Sequence, residues 1–303
     1  MEKIYYFMIK IDFSIIIPTY NNLEYLKRAI ISIENQTLKN FETIIIVDGS
    51  TDGTLKFLQT YDKNKINLNY IFIEPSGGPA KPRNIGIKLS RGKWLCFLDS
   101  DDEWHKEKIE QINSVVIENN NFEIIYHKEI MNDKNKFKII NNKSYKNNFY
   151  LNLLYNGNIC STSATVVNAD FVKKNNIKFL EKKKFVSVED FGFWLDIAKK
   201  GGKFFFLDKV LGVYHINEKS ISNNILWHKF NTIKLLFYHV FVLNKNNKDI
   251  KKNWRKIILL YKIDILILKI LKLKQYSKIC EIIILFIKKP FMLITFLKRK
   301  LNI

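Results

Sequence analysis

"KWLCFLDSDDEW", residues 93–104, joins an apolar run to three aspartates and a glutamate. The run has the length and composition of a strand buried on both faces. Acidic residues crowded behind such a strand repel one another. The chain as a whole is basic, with a formal net charge of +21. Negative charge concentrated at a strand end marks a place where a ligand site belongs.

Outward from this stretch, apolar strands alternate with helices. "FSIIIPTYNN" begins with a strand, Phe13 to Ile17, stopped by Pro18. "LEYLKRAIISIENQ" carries Leu23, Leu26, Ala29, Ile30 and Ile33 at helical spacing. "ETIIIV" (42–47) is a second strand with "DGSTDGT" as its turn, and residues 53–61 read as a helix. "LNYIFI" (68–73) is a strand, and "SGGPAKPRN" is a loop opening a helix to about Leu89. Residues 93–98 form the fourth strand, 105–119 a helix and "FEIIY" (122–126) another strand. Residues 128–148, rich in Lys and Asn, predict a poorly ordered surface excursion. "CSTSATVV" (160–167) returns to strand character. "VEDFGFWLDIAKKGG" (188–202) predicts a helix ended by Gly201 and Gly202, and "KFFFLDKVLGVYHIN" a strand and loop. From Ile225 the pattern is helical.

This alternation predicts an α/β fold with a parallel central sheet covered on both faces. Ligands in such sheets bind outside the carboxyl ends of the strands. "PTYNN", "DGSTDG" and "DSDD" all lie at such ends.

The 303 residues suit one large domain or a domain with an appendage, and 47% apolar residues are enough for a sizeable core. Cys96, Cys160 and Cys280 describe neither a disulfide framework nor a zinc knuckle, so a reducing compartment is expected. The first residues lack the apolar core of a secretory signal, and Met8 is an alternative start to Met1. The basic charge is clustered: residues 225–303 hold 18 Lys/Arg against 3 Asp/Glu, a surplus of 15. No nucleic-acid-binding motif accompanies it and Arg is scarce, so nucleic acid is not an expected partner.

Asp99 and Asp101, two residues apart after a strand, can converge on a hard cation such as Mg²⁺ or Mn²⁺. They can also start a helix, and Asp102 and Glu103 fit that second reading well. "PTYNN", with Pro18, Thr19 and Tyr20, can wrap a base or ribose, or be an ordinary turn. Asp48 can accept hydrogen bonds from a base NH or a sugar hydroxyl. "SGGPAKPRN" offers glycine amides and Arg83 to phosphate or base, but it is neither a Walker loop nor GxGxxG. Glu189 and Asp190 open a helix, where they either offset its dipole or supply a general base.

Four segments in order, "SIIIPTYNN" (14–22), "FETIIIVDGSTDGT" (41–54), "GGPAKPRNIGIKLSRGKWLCFLDSDDEW" (77–104) and "VEDFGFWLDIAKKGG" (188–202), resemble the family 2 glycosyltransferases of GT-A fold. The resemblance is dense to about residue 125, thinner to about 220 and absent beyond. It implies the Rossmann-like, mostly parallel central sheet of that fold and a nucleotide-sugar donor, with Thr19, Tyr20 and Asp48 around base and ribose and with Arg83 and Asn84 as the "RN" of the nucleotide loop. It implies Asp99 and Asp101 as the DxD pair holding Mn²⁺ or Mg²⁺, Asp101 in direct contact, and Asp190 as the base of an inverting transfer. It divides the chain into a GT-A domain at 8–220, with a nucleotide-sugar half at about 8–125 and an acceptor half at about 126–220, and a basic helical region at 221–303. Three features depart from the family. Val47 stands where an Asp is common, and "YHIN" replaces Tyr-Arg-x-His, placing His215 at the Arg position and Asn217 at the His position. Residues 128–160 carry no familiar motif.

In the tail, "IILLYKIDILILKILKLK" (257–274) and "ICEIIILFIKKPFMLITFLKRK" are apolar runs interrupted by charges. Neither gives the roughly 18 uninterrupted apolar residues of a spanning helix. Basic amphipathic helices suit an anionic membrane surface, and equally a helical subdomain whose lysines face water. The expected function is therefore transfer of a sugar, such as a hexose or N-acetylhexosamine from a UDP donor, to a glycan or lipid-linked acceptor. Its expected place is the cytoplasm, peripheral on the inner face of a bacterial membrane, in surface polysaccharide or lipooligosaccharide synthesis. Two rivals stand beside it: a catalytically silent glycan- or membrane-binding module of the same fold, and a nucleotidyl- or phosphotransferase using the same DxD.

Overall fold

The computed structural model describes residues 12–119, 121–134, 136–140, 148–217 and 224–273. The choice between Met1 and Met8, Cys280 and the second apolar run of the tail lie outside them. The chain divides into two compact units, Met1–Tyr150 with Asn158–Ser220, and Leu151–Gly157 with Ile221–Ile303.

In the first unit, β1 (Phe13–Thr19), β2 (Phe41–Asp48), β3 (Leu68–Ile73) and β4 (Trp94–Phe97) lie parallel in the order β3-β2-β1-β4. β1 and β2 are buried at every position, as continuous apolar runs require when helices cover both faces. Helix α1 (Leu23–Glu34) buries Leu26, Ala29, Ile30 and Ile33, the stripe its spacing predicts. Helix α2 (Thr54–Gln59) follows β2, and α3 (Ala80–Leu89) follows β3. α3 lies so close to β1 that a Cβ on Gly86 would stand 2.3 Å from Ile16 Cγ2. Only glycine permits that approach.

Pro18 does not stop β1, which continues through it to Thr19, with Pro18 opposite Ile46 of β2. Ile16 accepts Leu98 N–H on the β4 side, so the alternation turns Pro18's nitrogen to that same side. There β4 has already ended at Phe97, and no ladder bond is lost.

The second half reverses direction. β6 (Ile124–Asp133) and β8 (Thr165–Asn168) are antiparallel, and β8 joins β6 to β4. β9 (Phe204–His215) runs parallel to β6, and the short β5 (Glu103–Trp104) closes the order antiparallel to β9. The sheet is thus mixed α/β, parallel through β1–β4 and of both senses beyond. Helix α4 is Lys108–Glu118, α6 is Ala169–Lys174 and α7 is Glu189–Lys199, ended where Gly201 takes φ +84°.

Three local expectations are corrected. Residues 128–133 and 136–140 form no loose excursion: β6 runs to Asp133, turns at Lys134 (φ +49°) and pairs with β7 (Lys136–Ile140). The Asn/Asp/Lys composition that read as disorder supplies the turn. Asp102 and Glu103 do not begin a helix, since α4 starts at Lys108. Asp102 is instead a buried acceptor and Glu103 lies in β5. Strand character after Cys160 begins only at Thr165, and residues 161–165 form turns closed by Ala164 N–H to Ser161 O and Thr165 N–H to Thr162 O.

The second unit is helical: α5 (Phe149–Asn156) reaches into it, followed by α8 (Ile225–Phe237), a π-helical stretch Tyr238–Leu243 and α9 (Lys248–Leu273). Leu235, Leu236, Val240, Ile257, Ile263 and Leu266 are buried and Lys262 is exposed. Asp264, which reads in sequence as an interruption of the apolar run, is buried, with Lys229 Nζ 3.8 Å away. Among the described residues no helix is long and apolar enough to cross a membrane.

Candidate active site

The parallel order sets the ends of β2, β1 and β4 side by side, with Asp48, Thr19 and Asp99 along one edge. Thr19 is 2% exposed and its Oγ1 has no hydrogen-bond partner among the described residues, while Tyr20 beside it is 59% exposed. The loops after β1 and β2 interlock. Asn21 N–H donates to Ser50 Oγ at 2.9 Å, and Thr51 N–H donates to Asn21 Oδ1 at 2.7 Å. Asp48 accepts Ser76 N–H at 2.8 Å and Ser76 Oγ–H at 2.7 Å, which fastens the loop after β3 to the end of β2. Gly49, at φ +70°, permits this turn, since a Cβ there would stand 2.3 Å from Pro75.

Arg83 of α3 is the centre of the arrangement. It is buried, and its guanidinium donates to Asp99 Oδ1 at 2.6 Å and to Glu189 Oε1 at 2.9 Å. Burial would lower its pKa, but the charges of Asp99 and then Glu189 raise it above the ordinary arginine value, so it stays charged. One planar fork thus joins the acidic turn after β4 to the first turn of α7. Aromatic packing aligns the same two segments. Phe97, the last residue of β4, meets Phe179, Phe193 and Trp194 edge-on, and Phe179 stacks on Phe193 at 4.1 Å. Each such burial is worth about 1.5–3 kcal/mol. Asn84 holds this packing: its side chain donates to Phe179 O and Glu181 Oε1 and accepts Phe179 N–H.

Glu189 and Asp190 are adjacent but differently placed. Glu189 is 4% exposed and bound to Arg83, and its Oε2 has no hydrogen-bond partner among the described residues. Asp190 is half-buried and accepts from Asn158 Nδ2 at 2.8 Å. Burial, then the charge of Glu189, push Asp190 up to about 7 against the pull of Arg83. A carboxylate with that affinity for protons is suited to accept one from a hydroxyl near neutral pH.

The "DSDD" turn is held at every residue. Asp102 N–H closes it on Asp99 O at 3.0 Å, and Ser100 Oγ accepts from Asn22 Nδ2 at 3.0 Å. Arg28 donates to Asp101 O at 2.6 Å and pairs with Glu103 at 2.9 Å. Burial and then the charge of Asp99 push Asp101 up to about 6, with Asn217 bonded to its side chain. His215 does not carry its ring to Asp99 or Asp101. Its Nε2 lies 2.7 Å from Glu103 Oε1 and its Nδ1 3.4 Å from Asn132 Nδ2, so it supports the far side of the turn.

The donors on hand decide whether a divalent cation suits this place. Asp99 and Asp101 offer hard carboxylate oxygens. One oxygen of Asp99 is taken by Arg83, but the side chain is still 30% exposed. Among the described residues no group of three or more His, Cys, Asp or Glu could hold an ion by itself. The pair therefore fits Mg²⁺ or Mn²⁺ whose shell is completed by phosphate oxygens and water, not a closed all-protein cage.

Sequence reading missed Arg28, Asn158 and Ser163, and gave Glu189 no partner. Each of these contacts crosses 30 or more residues. The only local signal was the run of hydroxyl residues in "CSTSAT" just before a strand.

With this geometry in hand, the comparisons agree on one class. The chain belongs to glycosyl transferase family 2, whose model matches residues 14–175. An uncharacterized glycosyltransferase of Rickettsia conorii is 33% identical over 268 residues, covering 79% of this chain and 42% of the relative. A second Rickettsia relative is matched over the same 42% of its length, so the chain spans less than half of these relatives. The Escherichia coli UDP-Glc:alpha-D-GlcNAc-diphosphoundecaprenol beta-1,3-glucosyltransferase WfgD is 31% identical over 232 residues, 73% of this chain and 82% of that protein. Among solved structures, Staphylococcus aureus TarS 1–349 in complex with UDP-GlcNAc superposes with a TM-score of 0.63 at 23% identity, over 82% of this chain and 71% of that one. That likeness gives the GT-A fold.

Proposed function

We propose that this chain is an inverting glycosyltransferase that moves a sugar from a nucleotide donor to a glycan or lipid-linked acceptor of a bacterial cell surface. The observation that carries the reading is the Arg83 fork, which holds Asp99 of the DxD and Glu189 beside Asp190 within one hydrogen-bonded assembly. Thr19 and Tyr20, shaped by Pro18 at the end of β1, and Asp48 at the end of β2 face the base and ribose. Arg83 and Asn84 of the nucleotide loop act by building the site around Asp99. Asp99 and Asp101 would hold the cation, with Asp101 as the ligand in direct contact. Bound there with the diphosphate, Mg²⁺ or Mn²⁺ would offset the charge developing on the leaving group. Asp190 accepts the acceptor hydroxyl's proton as that oxygen attacks the anomeric carbon.

UDP is the favoured nucleotide and a hexose or N-acetylhexosamine the favoured sugar. The support is the printed chemistry of WfgD and the UDP-GlcNAc in the TarS complex. The donor half is assigned to residues 8–125 and the acceptor half to 126–220. The basic region 221–303 attaches the enzyme peripherally to the inner face of the cytoplasmic membrane, through its lysine surplus and apolar runs.

A donor panel tests this. The purified chain, with Mn²⁺ or Mg²⁺, is given UDP- and GDP-linked sugars, and released nucleotide and sugar transfer or hydrolysis are followed. Nucleoside diphosphate release from one UDP-sugar, abolished by EDTA, is expected. Attack at phosphorus, giving nucleotidyl or phosphoryl transfer, would replace the reading with the phosphotransferase. Saturable donor binding without turnover under any acceptor or metal would leave a binding module.

A further inference from the structure

Beneath the "DSDD" turn lies a group that the transfer reaction does not itself require. Ser163 is fully buried in the turn before β8, more than 60 residues from the acidic motif. Its hydroxyl accepts Asp99 N–H at 3.0 Å and donates its one proton to Asp102 Oδ2 at 2.5 Å. The other oxygen of Asp102 accepts His215 N–H at 3.0 Å, at the end of β9. The carbonyl of Ser163 accepts Trp104 Nε1–H at 2.9 Å and Lys108 Nζ–H at 2.5 Å. Lys108, also fully buried, lies 3.8 Å over the Trp104 ring.

One residue of the second half of the sheet therefore holds both ends of the acidic turn. It fixes the amide of Asp99 on one side and the carboxylate of Asp102 on the other, and Asp101 lies between. A hydroxyl can do this because it accepts and donates at once. Alanine can do neither, and would leave the Asp99 amide and a buried carboxylate oxygen without a partner. The serine is itself fixed by two donors on its carbonyl, Trp104 Nε1 and Lys108 Nζ, which hold it against following a misplaced turn.

We propose that Ser163 is a positioning residue for the cation site, setting the spacing of Asp99 and Asp101 through the amide of Asp99 and the carboxylate of Asp102. The inference rests on the assignment of Asp99 and Asp101 as cation ligands under the proposed function. It adds that the second half of the sheet, which carries the acceptor side, sets how tightly the first half holds the cation.

The test is Mn²⁺ binding by the full chain in the presence of UDP, read by electron paramagnetic resonance of free Mn²⁺, which needs no turnover. Wild type, Ser163→Ala, Ser163→Thr and Asp102→Asn are compared, with thermal melting run alongside. Ser163→Ala should melt as a folded protein and bind Mn²⁺ about ten-fold more weakly, by the usual scale of such supporting contacts. Its affinity for UDP without metal should be unchanged. Ser163→Thr, which keeps the hydroxyl, should recover most of the Mn²⁺ affinity. If Ser163→Ala does not fold, the near-isosteric Asp102→Asn is read in the same way. Native Mn²⁺ affinity in a folded Ser163→Ala, or in Asp102→Asn, overturns the inference and leaves the cation site standing. Failure of the wild type to take up Mn²⁺ with UDP overturns the cation site, and the inference with it.

Discussion

The two halves of the sheet are built differently and contribute differently. In β1–β4, parallel strands are joined through short helices and each polar group lies at the end of its own strand. Thr19, Asp48 and Asp99 need no distant segment to reach the edge. In the half formed by β6–β9, strands run in both directions. The residues that matter there lie in turns or at a strand end: Ser163 and His215 reach back to the first half at Asp99 and Asp102, and Asn158 holds Asp190 of α7. Under the proposed function, the first half presents the nucleotide- and cation-binding groups, and the second clamps them and adds the base Asp190. A substitution in the first should therefore remove chemistry, and one in the second, the base Asp190 of α7 apart, should loosen geometry.

The largest effect is expected at Asp101. Asp101→Ala should abolish transfer and leave the fold intact, because the side chain lies in a loop outside the core. Full activity in excess EDTA would contradict the cation assignment. Arg83, which spans the two halves, should be costly in stability as well. Arg83→Ala leaves Glu189 buried without its partner, on the scale of 3–5 kcal/mol for a broken buried pair, roughly 10 °C in melting temperature. The partly open Asp99 recovers some solvation and reduces that figure. A melting temperature within a degree of wild type would show that the fork joins nothing of consequence.

The pH profile comes next. Asp190 is pushed up to about 7 by burial and then by Glu189, and it acts as a base only when deprotonated. Turnover should therefore fall about ten-fold per pH unit as pH drops below about 7, and level off above it. A flat profile from pH 5.5 to 8 would place the base elsewhere. The smallest effect concerns the helical unit. The full chain should sediment with anionic vesicles more than with neutral ones and lose part of that binding in high salt, with each basic residue near the bilayer contributing about 1 kcal/mol. Equal binding to both vesicle types would remove the electrostatic part of the membrane reading.

How much of this the sequence carried follows from the same contrast. β1–β4 and their helices were legible because their signals are local: apolar runs of strand length, glycine turns and an amphipathic stripe. Pro18 misled because a strand's tolerance of proline depends on whether a neighbour still needs the amide, and β4 had already ended. The 128–140 hairpin was hidden by composition, since Lys and Asn suit both disorder and an exposed edge with a turn. Asp102 and Glu103 looked like a helix start because nothing nearby announces Ser163 or His215. Asp99, Asp101 and Asp190 could be named from motifs, but the Arg83 fork and the Ser163 clamp join residues far apart in the chain.

The most direct test of the account separates the two adjacent carboxylates of α7. Asp190→Asn and Glu189→Gln are compared for donor binding, by calorimetry, and for single-turnover transfer at pH 8. Asp190→Asn should bind the donor with near-native affinity and lose about 10²-fold or more in turnover. Glu189→Gln should retain measurable turnover while lowering the melting temperature, because Glu189 serves Arg83. Near-native turnover in Asp190→Asn, with the loss falling on Glu189→Gln instead, would contradict the assignment of Asp190 as base and of Glu189 as its structural neighbour.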